Sequence, residues 1–112
     1  MKLFKMLECI HPRTRLDAER LLLSEDFIST GRDRGEYEAL IQYEGTLILP
    51  MVQLGPNNAV QFYTCQCRDL GICSHVAAVL IWMACVQRDK QLRHVLTNET
   101  YRQRQPYDIK TL

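Results

Sequence analysis

Four potential metal ligands fall within one short stretch, Cys65-Gln66-Cys67-Arg68-Asp69-Leu70-Gly71-Ile72-Cys73-Ser74-His75. Three thiols and one imidazole are the donor set of a closed tetrahedral zinc site. Zinc takes thiolate and neutral imidazole readily, and four protein donors leave no position open for a substrate. Cys65 and Cys67 sit two apart, so on an extended chain their side chains leave the same face. Gly71 supplies the positive φ that a chain curling round a metal can require. Ser74 is a good helix N-cap, and an apolar run starts after His75, which places Cys73 and His75 at a helix N-terminus. Free backbone N–H groups and the helix dipole there favour thiolate over thiol.

Buried cysteine is also a small hydrophobe, but three thiols and an imidazole around a polar, Gly-containing spacer go beyond core packing. A disulfide framework fits less well. The five cysteines are an odd number, and the first residues, Met1-Lys2-Leu3-Phe4-Lys5-Met6, are too mixed for a signal peptide. A reducing, intracellular compartment is expected. With 112 residues and 46% hydrophobic content, the chain has room for one domain with a small core. A structural metal would offset what burial cannot supply. The net charge of +1 does not announce a nucleic-acid binder. The longest apolar run, Val76 to Val86, has 11 residues, well short of the roughly 20 of a membrane span.

The expected fold class is α+β: a small antiparallel sheet of about three strands, then the zinc site and an apolar helix. An N-terminal helix precedes these elements and a C-terminal helical tail follows. Three segments are expected: an N-terminal arm and helix at 1–35, a zinc-binding module at 36–87, and a helical or flexible tail at 88–112. Pro12 breaks an ambiguous opening stretch. Thr14 or Asp17 caps a helix to about Glu25, with Leu16, Leu23 and Phe27 on an apolar face that Leu21 and Leu22 broaden. Phe27-Ile28-Ser29 reads as a short extended piece. Gly31 to Gly35 reads as a turn. Glu36 to Tyr43 and Thr46 to Leu54 read as strands joined by a Glu44-Gly45 hairpin turn. Pro50 marks an edge or a bulge. Ala59 to Thr64 is the third strand, and a helix follows from Ser74 to about Gln87. Cys9 and His11 share ligand chemistry but lack a second pair, Cys85 is expected in the core, and His94 at the surface.

The pattern Cys65-x-Cys67, five residues, then Cys73-x-His75 resembles the SWIM zinc finger, with its CxC, variable spacer and CxH. Val60-Gln61-Phe62-Tyr63-Thr64 resembles that family's last strand, and Val76-Ala77-Ala78-Val79-Leu80 its following helix. The likeness covers roughly residues 36 to 86, and the spacer is shorter than in many members. The resemblance implies one structural zinc held by Cys65, Cys67, Cys73 and His75, and DNA or protein binding, as in chromatin- and transposase-associated proteins. Gly71-x-Cys73-x-His75-Val76-Ala77-Ala78-Val79 is also similar to modules of transposon-derived proteins. Those accompany a nuclease domain that 112 residues cannot hold, so a fragment or domesticated remnant is expected. A nuclear location follows from the same resemblance.

No phosphate loop, His-Glu-x-x-His or nucleophile–base pair stands out, so no enzyme and no small-molecule substrate are expected. Arg32, Arg34 and Arg68 are the candidate nucleic-acid contacts, a weak electrostatic rim if the sheet gathers them. DNA and protein partners stand level. Two other readings stay open: a thiol redox protein using Cys65 and Cys67, and a pure protein–protein adaptor.

Overall fold

The computed structural model describes residues 1–67 and 71–92. In chain order the elements are α1 (Leu3–Cys9), α2 (Pro12–Leu22), β1 (Phe27–Asp33), β2 (Glu36–Tyr43), β3 (Thr46–Ile48), β4 (Met51–Leu54), a single 3-10 turn (Pro56–Asn58), β5 (Val60–Thr64) and α3 (Ser74–Leu92). The α+β class holds. The sheet is antiparallel with five strands rather than about three, in the order β1-β2-β4-β5, with β3 also on β2.

Two local features account for the extra strands. The polar stretch from Gly31 to Gly35 is not one turn. Gly31 stays in β1 opposite Glu38, and the chain reverses only at Arg34–Gly35, where φ is 49° and 84°. Two positive φ values in a two-residue loop make a type I′ hairpin, whose twist matches that of the strands. The Glu44–Gly45 loop has the same form, with φ 48° and 77°. The second feature is Pro50. It is neither an edge nor a bulge: the pairing with β2 keeps one register from Tyr43↔Thr46 through Glu36↔Gln53. Pro50 accepts from the Ala39 N–H at 3.2 Å but has no N–H to return, so the ladder lapses for one bond and one strand becomes two.

The two hairpin glycines allow a comparison. At Gly35 a Cβ would collide with the Leu54 carbonyl oxygen, and the Gly35 carbonyl accepts from Leu54 N–H at 2.7 Å. At Gly45 a Cβ would meet nothing within 4 Å. Gly45→Ala is therefore expected to cost only the conformational penalty, about 1 kcal/mol. Gly35→Ala should cost clearly more, because backbone must move as well. Urea unfolding of both variants checks the order.

The N-terminal part is two helices. The opening stretch does break just before Pro12, between α1 and α2, and Pro12 itself occupies the first turn of α2, where its missing N–H is no loss. His11 caps that helix, its Nδ1 accepting from Arg13 N–H at 3.1 Å. The buried side chains of α2 are Ala18 and Leu22, with Leu21 partly buried beside them, whereas Leu16 and Leu23 are exposed, so only the Leu21–Leu22 part of the expected apolar face turns inward. Arg13 and Arg15 pair with Asp17 and Glu19 one turn on, at 3.6 and 3.3 Å, on the wet side.

One core joins all of this. Every residue of α3 from Val76 to Ala84 is buried. The helix packs on the sheet through Trp82, whose ring meets Tyr37 edge-on at 5.6 Å, and α1 and α2 pack against it as well. Phe27, Tyr37, Ala39, Ile41, Ile48 and Val52 are the buried strand residues, spaced by two along β2 as a half-buried sheet requires. Near its far end α3 is tied to the 3-10 turn, Gln87 Nε2 donating to Asn58 Oδ1 at 3.0 Å. α3 continues past Gln87 to Leu92, into the expected helical tail; the rest of that tail, with His94, lies outside the described residues.

Candidate metal centre

The site forms where the sheet hands the chain to α3. β5 pairs with β4 in one register from Gln53↔Phe62 to Met51↔Thr64. Continuing that register places Cys65 opposite Pro50 and Gln66 opposite Leu49. Tyr63 faces the core side with its partner Val52, so by strand alternation Cys65 and Cys67 fall on that side too. Gln66 takes over the ladder with its side chain, Oε1 accepting from Leu49 N–H at 2.6 Å. The knuckle that carries two ligands is thereby fastened to the strand beside it. Gly71, with φ 76°, brings the chain back.

The second pair belongs to α3. Val76 N–H donates to Cys73 Sγ at 3.5 Å, so this sulfur caps the helix. His75 sits in the first turn, its ring meeting Tyr43 edge-on with centroids 4.8 Å apart. Tyr43 ends β2, so sheet and helix together fix the imidazole plane. Cys73 and His75 are buried, and Cys65 and Cys67 are half-buried.

The four donor atoms all lie within 4.8 Å of one another. Cys65 Sγ is 3.7 Å from His75 Nδ1. A tetrahedral zinc, with Zn–S and Zn–N bonds of about 2.3 and 2.0 Å, would hold its donors roughly 3.6–3.8 Å apart. The residues fit such an ion with a contraction of at most about 1 Å in the widest pair. Among the described residues this is the one His/Cys/Asp/Glu cluster placed to hold a metal.

The electrostatics show what the ion would offset. Burial pushes the Cys65 thiol up from 9.0 to about 12, and the crowding of Cys73 and Cys67 adds to it. Burial also raises Cys73, and this outweighs the opposing hydrogen bond from Val76. The expectation that the helix N-terminus would favour thiolate at Cys73 therefore fails without a cation: the effect has the right sign but is smaller than the desolvation. Three sulfurs share one small volume, and a dication is what allows them all to ionise.

Cys9 is exposed and Cys85 half-buried against the core. Cys85 lies ten residues beyond His75 on α3, about 15 Å along the helix axis. Replacing Cys9 and Cys85 together with Ala is expected to leave metal stoichiometry unchanged, as elemental analysis would show. Arg32 and Arg34 are exposed at the end of β2 away from Tyr43 and the metal site, with the Arg32 guanidinium 5.9 Å from the Tyr37 ring centre. Arg68 lies outside the described residues. Sequence reasoning missed Gln66 and Tyr43 as supports. Counting the β4–β5 register two residues past Thr64 would have found Gln66; Tyr43 has no local signal.

Residues 52–81 match the family model described as the SWIM zinc finger. The matched stretch runs from within β4 through β5 and the ligand knuckle into α3, and is narrower than the likeness over 36 to 86 that the motif suggests. No curated protein and no solved structure matches the chain. The stretch from residue 52 to residue 81 thus matches the SWIM zinc finger model, with Cys65, Cys67, Cys73 and His75 placed to bind a metal ion.

Proposed function

We propose that the chain is an interaction module built on one structural zinc, and that it acts by binding DNA or another protein in the nucleus rather than by catalysis. The observation that carries this reading is the convergence of four protein donors within 4.8 Å. A catalytic zinc keeps a coordination position open, and a full set of three thiolates and one imidazole leaves none. A cleft does open beside His75, between α2 and the Glu44 turn. His75 is the one member of the donor set among its lining residues.

The same geometry speaks against thiol redox chemistry at Cys65 and Cys67. A redox cysteine needs a lowered pKa and an exposed sulfur, whereas Cys65 is half-buried with its thiol pushed up to about 12. No helix among the described residues is long and apolar enough to cross a membrane.

Elemental analysis of purified protein tests the zinc, one ion per chain being expected. A duplex-DNA titration at two salt concentrations, with wild type and Arg68→Ala, tests the partner. Micromolar or tighter binding that weakens with salt and with the substitution supports DNA. No binding at low salt leaves a protein partner. Zinc-free protein with an oxidised Cys65–Cys67 pair would overturn the structural-zinc reading.

A further inference from the structure

The face of the sheet turned away from α3 carries an unusual division. Its positions follow from the register, because Tyr37, Ala39 and Ile41 point into the core. The outward positions of β2 are then Glu36, Glu38, Leu40 and Gln42. Those of the β3–β4 strand are Leu47, Leu49, Met51 and Gln53, and those of β5 are Phe62 and Thr64. Leu40 stands opposite Leu49, Met51 stands between Glu38 and Thr64, and Phe62 is diagonal to Met51. The apolar side chains therefore form one stripe across three strands. Leu47 is 55% exposed, Phe62 47% and Leu49 42%. Single exposed hydrophobes are ordinary, but a contiguous group marks an interaction surface.

The charged residues at the outward strand positions share one sign, with Arg34 in the turn that joins β1 to β2 the basic residue at their end. Asp33 on β1 is paired with Glu36, and Glu38 is paired with Gly31. The Glu38 carboxylate lies across Gly31, 3.3 Å from where a Cβ would stand, and a larger residue there would push it aside. Three carboxylates thus collect at the Arg34–Gly35 end of the face. The outward positions of the five strands hold no Lys or Arg. Duplex DNA presents phosphates, which this face would repel. A protein segment that is apolar at one end and basic at the other meets both halves: its apolar residues cover the stripe while its cations face Asp33, Glu36 and Glu38. Such pairing of potentials sets partner choice and orientation.

We infer that the outer sheet face of this chain is a docking surface for a partner-protein segment carrying an apolar stripe next to Lys or Arg residues. The inference deepens the interaction-module reading and rests on it, and it assigns this face to protein rather than DNA. The face is set by strand register and not by the ligand knuckle, so the two can be tested separately.

The probe is a synthetic amphipathic peptide of Leu and Lys, with a Leu/Glu peptide of the same length as control. Each is titrated into the full, isotope-labelled chain, whose zinc content is measured on the same sample. The Leu/Lys peptide is expected to shift the amides of Leu40, Leu47, Leu49, Met51 and Phe62, and the Leu/Glu peptide to leave them. Phe62→Gln, and separately Glu36→Gln with Glu38→Gln, should each weaken binding about tenfold or more. Both changes are on exposed or half-exposed side chains, so the amide spectrum should otherwise stay native. Four results would overturn the docking surface: no shift, shifts confined to α2, equal binding of both peptides, or displacement of the same amides by duplex DNA. Concentration-dependent self-association abolished by Phe62→Gln would also overturn it, by assigning the face to a second copy of the chain. A sample without zinc that still binds the peptide refutes the metal reading and leaves the docking surface standing.

Discussion

Cys73→Ser is expected to strip the metal and lower the melting temperature far beyond the effect of an ordinary point substitution. Structural zinc in small domains contributes on the order of 10 kcal/mol, comparable to the whole net stability of a domain. A loss of about 1 kcal/mol already moves the melting temperature of a domain this size by about 4–8 °C. The choice of serine isolates the cause. Cys73 Sγ also accepts from Val76 N–H at the start of α3, and serine is a better helix cap than cysteine. Capping is therefore kept or improved while the thiolate is lost. Metal analysis beside a thermal melt checks the result. A variant that keeps a full zinc and the native melting curve would show that Cys73 is not a ligand.

The second large effect is on pH. Zinc binds thiolate, so the thiols at the site must lose their protons on binding. Burial raises both Cys65 and Cys73, and at neutral pH each arrives protonated. Binding releases at least those two protons, so the apparent zinc affinity should rise by at least about two log units per pH unit. The sign differs between the two states of the protein. In the metal-free chain the raised values favour the neutral thiols, so their contribution to stability is complete below 9.0. It is lost as pH climbs through about 12, the value for Cys65. In the zinc-loaded chain stability grows with pH, because the ion holds thiolates that acid would protonate. Competition against a chelator of known proton affinity, between pH 6 and 8, measures the slope. A slope near zero would mean that the thiolates already exist without metal.

The cluster of four donors was legible because its chemistry is local. Four donors in one window need only a strand before them and a helix after, and both were visible. The Glu44–Gly45 hairpin was legible for the same reason. β1 was legible only in its first residues, Phe27 to Ser29, because Gly31 resembles a turn residue until it is known to face Glu38. Pro12 and Pro50 misled in opposite ways. Pro12 was read only as a break, yet it also begins a helix; Pro50 was read as an edge or a bulge, yet it separates two short strands that share one register. Leu21, Leu22 and Leu23 leave the phase of α2 open, since any of them could face inward. Only the position of α3 selects Leu22 and leaves Leu23 in water. The support given by Tyr43 to His75 joins residues far apart in sequence, which no periodicity reports.

The bond from Gln66 to Leu49 has a consequence for how the protein opens. Gln66 is held between two ligands, and its side chain shields an amide on the neighbouring strand. With zinc bound, its release is expected to free the knuckle and unlatch that amide in the same event. Hydrogen exchange at Leu49 would then follow the free zinc concentration, slow when the ion is present and fast when a chelator removes it. A single backbone proton on the sheet would thus serve as a gauge of metal occupancy, readable without touching any of the ligands.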